Sequence, residues 1–180
     1  MNAPHEDSAP SPWVERFAPL VPKCGAVLDL AAGAGRHARL FHELGHPVTA
    51  ADRDVSRLPN LPRLEAVETD LEDGRPFPFL EEDFAGVVVT SYLHRPILPD
   101  IVGSVGPEGL LIYETFAAGN EAFGKPGNPN FLLRPGELLE AVRGRLRVLA
   151  YEDLIVETPT SSSKTAAAIQ RIAARNESKV

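Results

Sequence analysis

The sequence is short of several features that define whole classes of protein. Its 180 residues include one cysteine, Cys24, so no disulfide framework can form within the chain, which fits a reducing compartment. No apolar run approaches the ~18–20 residues that a helix needs to span a bilayer, and no basic segment followed by an apolar one marks a secretory signal. These absences predict a cytoplasmic protein without a membrane partner.

Positive charge is scarce as well. The chain carries 18 Lys and Arg residues against 25 Asp and Glu residues, a formal net charge of −7, whereas a nucleic-acid binder usually presents a basic face. Nucleic acid is therefore not an expected partner. Apolar residues make up 43% of the chain, the ordinary share of a globular protein. We expect a disordered lead-in over residues 1–12, rich in Pro, Ser, Ala and acids, followed by a single domain over residues 13–180.

Short apolar runs alternate with helical patterns along this domain. Buried strands are predicted at residues 25–30, 48–52, 64–70, 84–90, 109–114 and 147–156. Helices are predicted after a Ser11-Pro12 start and at residues 36–44, 98–105 and 136–142. Strands that alternate with helices indicate a parallel sheet covered on both faces. The Ala-rich tail, residues 165–175, is helical by its own propensity.

A loop of small residues, 29–35, lies between the first predicted strand and the helix that follows. Gly33 and Gly35 let the backbone approach a ligand closely, and the start of the helix offers free N–H donors. Asp52 ends the second predicted strand and Asp70 ends the third. In a right-handed parallel sheet these strand ends share one edge, beside the crevice in which ligands bind.

The acids at this edge indicate the chemistry of the ligand. Asp52 is placed to accept hydrogen bonds from both hydroxyls of a ribose, and Asp70 to accept one from an adenine amino group with the Leu71 backbone beside the ring. Asp29 is placed to orient the loop and to face the ammonium group of an amino-acid ligand. This density of carboxylates repels a phosphate but suits a cationic sulfonium with an amino-acid tail.

These residues resemble the motifs of a known family. The 29–35 loop, Asp52 and residues 69–71 look like the first three motifs of class I S-adenosylmethionine (SAM)-dependent methyltransferases, and the resemblance covers nearly the whole chain from about Trp13. Within that superfamily, three segments are similar to the tellurite-resistance (TehB-like) methyltransferases: residues 33–37, 92–96 and 128–138. Ala31 departs from the pattern, because the family loop prefers glycine there.

The resemblance implies a fold, a cofactor and an activity. The fold is a Rossmann-like, doubly wound α/β sheet of seven mostly parallel strands with helices on both faces and an antiparallel last strand. Residues 165–173 then form that strand against their helical propensity. The cofactor is SAM, no metal is expected, and the activity is methyl transfer to a small-molecule acceptor, for which the TehB-like group suggests an oxyanion. The expected cofactor-binding residues are Asp29, Ala31, Gly33, Gly35, Arg36, Asp52, Arg53, Asp70, Leu71 and Ser91.

Residues just after the fourth predicted strand are candidates for positioning the acceptor. His94 is a candidate base near neutral pH, and Arg95 with Arg134 a candidate clamp for an anion. Tyr92 is a candidate wall of the site. Each has a structural alternative, namely a hydrogen bond or an exposed loop for His94, solubility for the arginines and core packing for Tyr92. The Gly-, Pro- and Asn-rich segment 116–135 is predicted to be a flexible lid.

Three other functions stay open on the sequence. Residues 33–38 also match the G-x-G-x-x-A form of the dinucleotide fingerprint, which allows an NAD(P) oxidoreductase, although no second domain or hydride-transfer acid follows. Residues 42–46 match the H-E-x-x-H motif of zinc hydrolases, but Gly45 and Pro47 are expected to end the helix before His46. A non-catalytic SAM-binding protein is the third alternative.

Overall fold

The computed structural model, which describes residues 9–159 and 164–177, is built on one seven-stranded sheet. The strands are β1 (Val27–Leu30), β2 (Val48–Asp52), β3 (Leu64–Glu68), β4 (Phe84–Thr90), β5 (Val105–Phe116), β6 (Arg147–Pro159) and β7 (Lys164–Arg175). The helices are α1 (Pro12–Phe17), α2 (Arg36–Glu43), α3 (Leu98–Gly103) and α4 (Glu137–Val142). No helix in the described part of the chain combines the length and the apolar character needed to cross a bilayer.

The order of the strands is β3-β2-β1-β4-β5-β7-β6. β1 pairs in parallel with β2 on one side and with β4 on the other, and the parallel pairing extends outward to β3 and to β5. β7 lies between β5 and β6 and runs antiparallel to both. The strand order therefore reverses between β1 and β4, which is the switch point at which doubly wound sheets bind ligands.

Two apolar clusters, one on each face of the sheet, form the core. Neighbouring side chains of a strand point to opposite faces, so Val87 and Val89 join one cluster while Val88 joins the other. Ile101 of α3 packs in the first cluster and Phe41 of α2 in the second, and all five side chains are fully buried. The predicted Rossmann-like sheet with helices on both faces is confirmed.

The Ala-rich tail forms β7, as the resemblance implied. Because β7 lies between two strands, it has hydrogen-bonded partners on both sides. Arg171 of β7, for example, is opposite Glu114 of β5 and opposite Glu152 of β6. Ala173 and Ala174 are fully buried there. Helix propensity differs between residues by only a few tenths of a kcal/mol up to ~0.7, so pairing on both sides outweighs it.

The predicted strands are present, but several of them begin or end at other residues than predicted. β2 and β4 have the predicted bounds, whereas β1 begins at Val27 and β3 ends at Glu68. β5 is longer than predicted at both ends, because Val105 still pairs with Phe84 across an irregularity in the β4–β5 register. Hydrogen bonding to a neighbour sets these ends, and the apolar pattern of a single strand does not contain that information.

The predicted lead-in of residues 1–12 extends too far toward the domain. Residues 1–8 lie outside the described residues, but Ser11 is buried and its side chain accepts a hydrogen bond from the Trp13 amide at 3.1 Å, which caps α1. The Ser11 amide in turn donates to His37 Nε2 at 3.0 Å, and Arg36 donates to the Ala9 carbonyl at 3.2 Å. These contacts fix the segment onto the domain.

Candidate functional site

The loop between β1 and α2 turns tightly at the carboxyl edge of the sheet. Ala31, Gly33 and Gly35 have φ angles of 54°, 57° and 77°, in the left-handed region. A Cβ added to Gly35 would lie 2.8 Å from Pro59, whereas no described atom comes within 4 Å of one added to Gly33. Gly33 therefore faces open space and Gly35 is packed beneath the loop. Ala31 holds a conformation that disfavours a side chain by about 1–2 kcal/mol.

Asp52, the last residue of β2, joins that strand to the loop. Its Oδ2 accepts a hydrogen bond from the Gly33 amide at 2.8 Å, and its Oδ1 accepts one from the Asp54 amide at 3.1 Å. Each oxygen keeps a further lone pair for a ligand. The side chain lines a cavity of about 150 Å³ together with Ala31, Arg53, Thr69, Asp70, Leu71, Glu72 and Tyr92.

Asp70 reaches the same cavity from the neighbouring strand end. It lies two residues beyond the end of β3, where its Oδ1 accepts a hydrogen bond from the Glu72 amide at 2.9 Å and so fixes the turn. The half-buried Leu71 lines the cavity beside it. The tips of β1, β2 and β3 thus meet around one space, as the order of the motifs predicted.

A second cavity, of about 220 Å³, lies on the other side of Ala31, which lines both spaces. Its walls are residues 31–34 together with Arg36, His37, Arg39, Arg57, Thr90 and Ser91. The loop backbone and the arginines make this wall positive, in contrast to the acids of the first cavity. Together the two volumes fall at the lower end of the ~300–1,000 Å³ typical of ligand pockets.

Asp29 lies beneath the loop and lines neither of these cavities. Burial raises the pKa of its carboxyl group to about 7, and this effect outweighs the hydrogen bond from the Ala38 amide and the attraction of Arg36, which lower it. Its Oδ2 has no hydrogen-bond partner within the part of the chain that the structure describes. Asp29 therefore supports the start of α2 and does not present a carboxylate to the cavities.

His37 is a residue of the site that the sequence analysis did not single out. Burial and the nearby Arg36 lower its pKa to about 3, so the ring is neutral near pH 7. Because Nε2 accepts a hydrogen bond from the Ser11 amide, the ring proton lies on Nδ1, 3.4 Å from Thr90 Oγ1. His37 thus connects the N-terminal segment, α2 and the end of β4 beside the second cavity.

Two of the candidates for positioning an acceptor, Tyr92 and His94, occupy different places. Tyr92 lines the first cavity, and its Oη is buried without a hydrogen-bond partner among the described residues. Burial, with the acids Glu72 and Asp70 nearby, raises the pKa of this hydroxyl. His94 is half-buried and is not among the residues that line either cavity within the described chain.

Arg95 does not act as the predicted clamp, because its guanidinium faces another part of the molecule. Its Nε and Nη2 donate to the two oxygens of Glu137 at 2.7 and 2.9 Å, and Nη1 and Nη2 donate to the carbonyls of Asn130 and Leu132. Arg134 also bonds Glu137, at 3.1 Å. The buried Glu137 carboxylate needs a positive partner, and Arg95 supplies it, so these bonds occupy the guanidinium that the clamp would use.

Comparison with known proteins identifies the architecture that carries these cavities. No protein-family model and no curated protein sequence matches the chain. Among solved structures, TehB from Haemophilus influenzae matches with a TM-score of 0.70 at 21% identity, over 91% of this chain and 61% of its own. The 1,6-didemethyltoxoflavin-N1-methyltransferase of Burkholderia thailandensis, solved with S-adenosylhomocysteine, gives 0.63 at 19% identity over 93% and 77%. A SAM-dependent methyltransferase of Methanosarcina mazei matches with a TM-score of 0.64 at 14% identity, over 96% of this chain and 100% of its own.

The fold is that of the SAM-dependent methyltransferases. The TehB-like resemblance of the motifs thus extends to the fold, and this chain spans 61% of the length of that TehB structure.

Within this methyltransferase fold, the H-E-x-x-H match has a structural explanation. α2 ends at Glu43, and Gly45 has a φ of 90°, so His46 lies beyond the helix. His46 is buried, with its Nδ1 2.8 Å from the Gly25 carbonyl. Within residues 9–159 and 164–177, no group of three or more His, Cys, Asp or Glu side chains is placed to hold a metal ion. His46 therefore does not lie on the same helix as His42, which the H-E-x-x-H motif requires.

The segment predicted to be a lid, residues 116–135, is held to the rest of the domain near both of its ends. Ala117 forms a bridge with Leu133. The buried Asn120 side chain bonds backbone groups of the segment itself and of β7, at 2.9 and 3.2 Å. Residues 121–131 between these anchors are almost entirely exposed. Movement of this part over a ligand stays a prediction.

Proposed function

We propose that this chain binds SAM in the two cavities at the carboxyl edge and transfers its methyl group to a small-molecule acceptor. The observation that carries the proposal is the position of Asp52. Its carboxylate holds the glycine loop through the Gly33 amide and still presents one lone pair on each oxygen to the first cavity. An adjacent pair of ribose hydroxyls is a ligand of matching chemistry.

The residues around both cavities fit the remaining parts of SAM. Asp70 and Leu71 suit an adenine amino group and ring, and Tyr92 lines the same space. In the second cavity, Arg36 and the open backbone at Gly33 suit the carboxylate of an amino-acid tail. The carboxylates of the first cavity disfavour the phosphates of a dinucleotide.

The chain's own contribution to the reaction is alignment. When bound, SAM supplies a methyl group that its positive sulfur has already activated for attack, so the protein needs no nucleophile of its own. Holding the acceptor in line with that group can contribute up to ~7–11 kcal/mol. Asp52 and the loop fix the cofactor end, while Ser91 and Tyr92, which follow β4, lie where the cofactor cavities meet the rest of the edge.

The nature of the acceptor is the finer part of the proposal. The toxoflavin enzyme among the structural neighbours is named for a small-molecule acceptor, which supports the same class here. The TehB-like motifs suggest an oxyanion as the acceptor, but Arg95, which was expected to bind it, is bonded to Glu137. An oxyanion acceptor is therefore less well supported. The scarcity of cysteine supports a cytoplasmic location for such an enzyme.

Calorimetric titration with SAM tests the cofactor site. Asp52→Asn keeps an acceptor for the Gly33 amide but loses the charge, and we expect at least tenfold weaker binding, since charge-assisted hydrogen bonds contribute about 1.5–3 kcal/mol. Asp52→Ala is expected to lose more. The matched control is Glu68→Gln, because Glu68 pairs with Asp52 in the β2–β3 register but lines neither cavity.

Unchanged SAM affinity in both Asp52 variants, or tighter binding of NAD or NADP than of SAM, would contradict the proposal. Turnover is measured separately, by transfer of a labelled methyl group from SAM to a panel of small acceptors. Binding without any transfer would identify a non-catalytic SAM-binding protein.

A further inference from the structure

A third cavity, of about 370 Å³, opens at the same sheet edge and shares Ser91 with the second cavity. Its walls come from α1 and from the ends of β5, β6 and β7. Pro12, Phe116 and Ile169 give it apolar surface, and its charged residues are Glu114, Glu157 and Arg171. If the first two cavities hold SAM, as proposed above, an acceptor in this third space is continuous with the cofactor through Ser91.

The charged cluster in the wall is formally negative. Arg171 lies between two carboxylates, with its Nη1 3.1 Å from Glu114 Oε2 and its Nε 2.7 Å from Glu152 Oε2. The guanidinium also lies over the Trp13 ring, 4.7 Å from its centroid. Glu152 also lies 3.9 Å from Arg16. The wall itself, however, contains two carboxylates, Glu114 and Glu157, against the single guanidinium of Arg171. The wall therefore carries a formal excess of negative charge, and Arg171 is already committed to protein partners.

Glu114 is the member of this cluster that can accept from a ligand. Its Oε1 accepts a hydrogen bond from the Ser11 hydroxyl at 2.7 Å and its Oε2 one from Arg171, so each oxygen retains a lone pair. The side chain is 18% exposed, and that surface faces the cavity it lines. A carboxylate held in this way accepts N–H or O–H donors and repels anions.

The arginines that the sequence suggested for an anion are not available here. Arg95 and Arg134 bond Glu137, and both line a separate cavity that includes Arg145 and none of the residues of the third cavity. An oxyanion in the third cavity would meet Glu114 with a single, already neutralised arginine beside it.

We infer that the third cavity takes an uncharged or cationic acceptor of aromatic size that donates a hydrogen bond to Glu114, such as an amine, and rejects carboxylates and oxyanions. This inference rests on the proposed function for the meaning of the cavity. Its charge preference is a property of the chain's own residues, so binding can test it without turnover.

An amine and a carboxylate of matched size, together with a small oxyanion, separate the alternatives. Benzylamine, benzoate and inorganic selenite are titrated into the ¹⁵N-labelled protein, with and without S-adenosylhomocysteine, and amide shifts are followed at Phe116, Ile169 and neighbouring residues. We expect benzylamine to bind there at least tenfold more tightly than benzoate or selenite, a difference of about 1.4 kcal/mol. A preference for either anion, or no benzylamine binding, overturns the inference.

Two variants assign the preference to Glu114. In Glu114→Gln we expect the benzylamine affinity to fall at least tenfold. Glu152→Gln removes the same charge from the same arginine, but Glu152 does not line the cavity, and we expect a change of less than threefold. Equal losses in both variants, or an unchanged ratio of benzylamine to benzoate affinity in Glu114→Gln, overturn the inference. If the Gln variant does not fold, the preference of the parent protein still decides.

The SAM titration distinguishes the two proposals. Benzylamine selectivity in a protein that does not bind SAM refutes the proposed function and leaves the preference of the cavity intact. SAM binding in a protein that prefers benzoate or selenite supports the proposed function and refutes the inferred preference of the third cavity.

Discussion

Burial favours the neutral forms of two side chains beneath the glycine loop. Asp29 at the end of β1 has a pKa raised to about 7 by burial, and His37 in the first turn of α2 has a pKa lowered to about 3 by burial and by Arg36. Folding therefore raises the pKa of Asp29 and lowers the pKa of His37, so the two groups change the stability with pH in opposite directions. The stability of the structure beneath the glycine loop therefore depends on pH through both groups.

Asp29→Asn isolates the contribution of the carboxyl group. The folded pKa of about 7 lies above the ordinary 3.8, so the native state binds the proton more tightly. The stabilisation from Asp29 is full below pH 3.8 and is lost as pH rises through 7. We expect the parent to lose on the order of 2–4 kcal/mol relative to the variant between pH 4 and pH 8. Urea unfolding of both proteins at several pH values measures this difference.

His37 supplies an internal control for that experiment. Its stabilisation is present above pH 6.5 and is lost as pH falls toward 3, with the opposite slope, and it is common to both proteins. It therefore cancels when the two free energies of unfolding are subtracted. A difference that stays constant with pH would show that Asp29 is ionised in the folded protein.

The distance along the chain between interacting residues decides which site residues the sequence could predict. The loop glycines, Asp52 and Asp70 each follow a strand, so the strand pattern alone brought them to one edge. Arg95 and Glu137 are 42 positions apart, and Glu114 and Arg171 are 57 apart. Their pairing depends on tertiary contacts that no local pattern encodes, so the sequence alone predicts neither the bond of Arg95 to Glu137 nor that of Glu114 to Arg171.

At the scale of elements, one ion pair ties the end of β4 to α4 and to the segment before it. The side chain of Glu137, the first residue of α4, is only 9% exposed, and its partner Arg95 lies in the turn after β4. Burial raises the pKa of Glu137, but the hydrogen bonds from Arg95 and from the Arg134 amide and guanidinium outweigh burial and hold it at about 2. The pair therefore locks α4 against the turn that leads into α3.

Arg95→Ala tests this structural role. Removing the partner of a largely buried carboxylate is expected to lower the free energy of unfolding by about 1–3 kcal/mol at pH 7, less than for a fully buried pair because the Arg95 side chain is 30% exposed. The stabilisation of Glu137 is present above pH 4.5 and is lost as pH falls through 2, so the cost should shrink below pH 4. Urea unfolding at pH 7 and pH 3 measures both effects.

Arg143→Ala, at the opposite end of α4, is the matched control. Its ion pair with Glu140 joins side chains that are 74% and 62% exposed, and we expect a loss below about 0.5 kcal/mol. If Arg95→Ala is as stable as the parent but loses methyl transfer, the original interpretation of Arg95 as an acceptor clamp would return.

At the scale of the whole molecule, the proposed function separates the cofactor and the acceptor along one sheet edge. The cavities proposed for SAM lie over β1, β2 and β3, and the cavity inferred for the acceptor lies over β5, β7 and β6, with Ser91 after β4 between them. The alternation of strands and helices predicted the parallel half of this sheet from local patterns. The antiparallel half required the family resemblance, because β7 contradicts its own propensity and only its two neighbours make it a strand.

The segment between β5 and α4 is the part of the molecule best placed to respond when both ligands are present. Residues 121–131 are exposed and include Phe123 and Phe131 at 43% and 49% exposure, whereas Ala117 and Leu133 already pair with each other. If the segment closes as predicted, burial of the two rings should slow amide exchange in residues 121–131 about tenfold, with little change at the paired anchors. Hydrogen exchange is measured for the free protein, with S-adenosylhomocysteine, and with S-adenosylhomocysteine plus benzylamine. Exchange and protease sensitivity that stay the same in all three states would mean that this segment is a fixed wall, and that access to the acceptor cavity is controlled elsewhere.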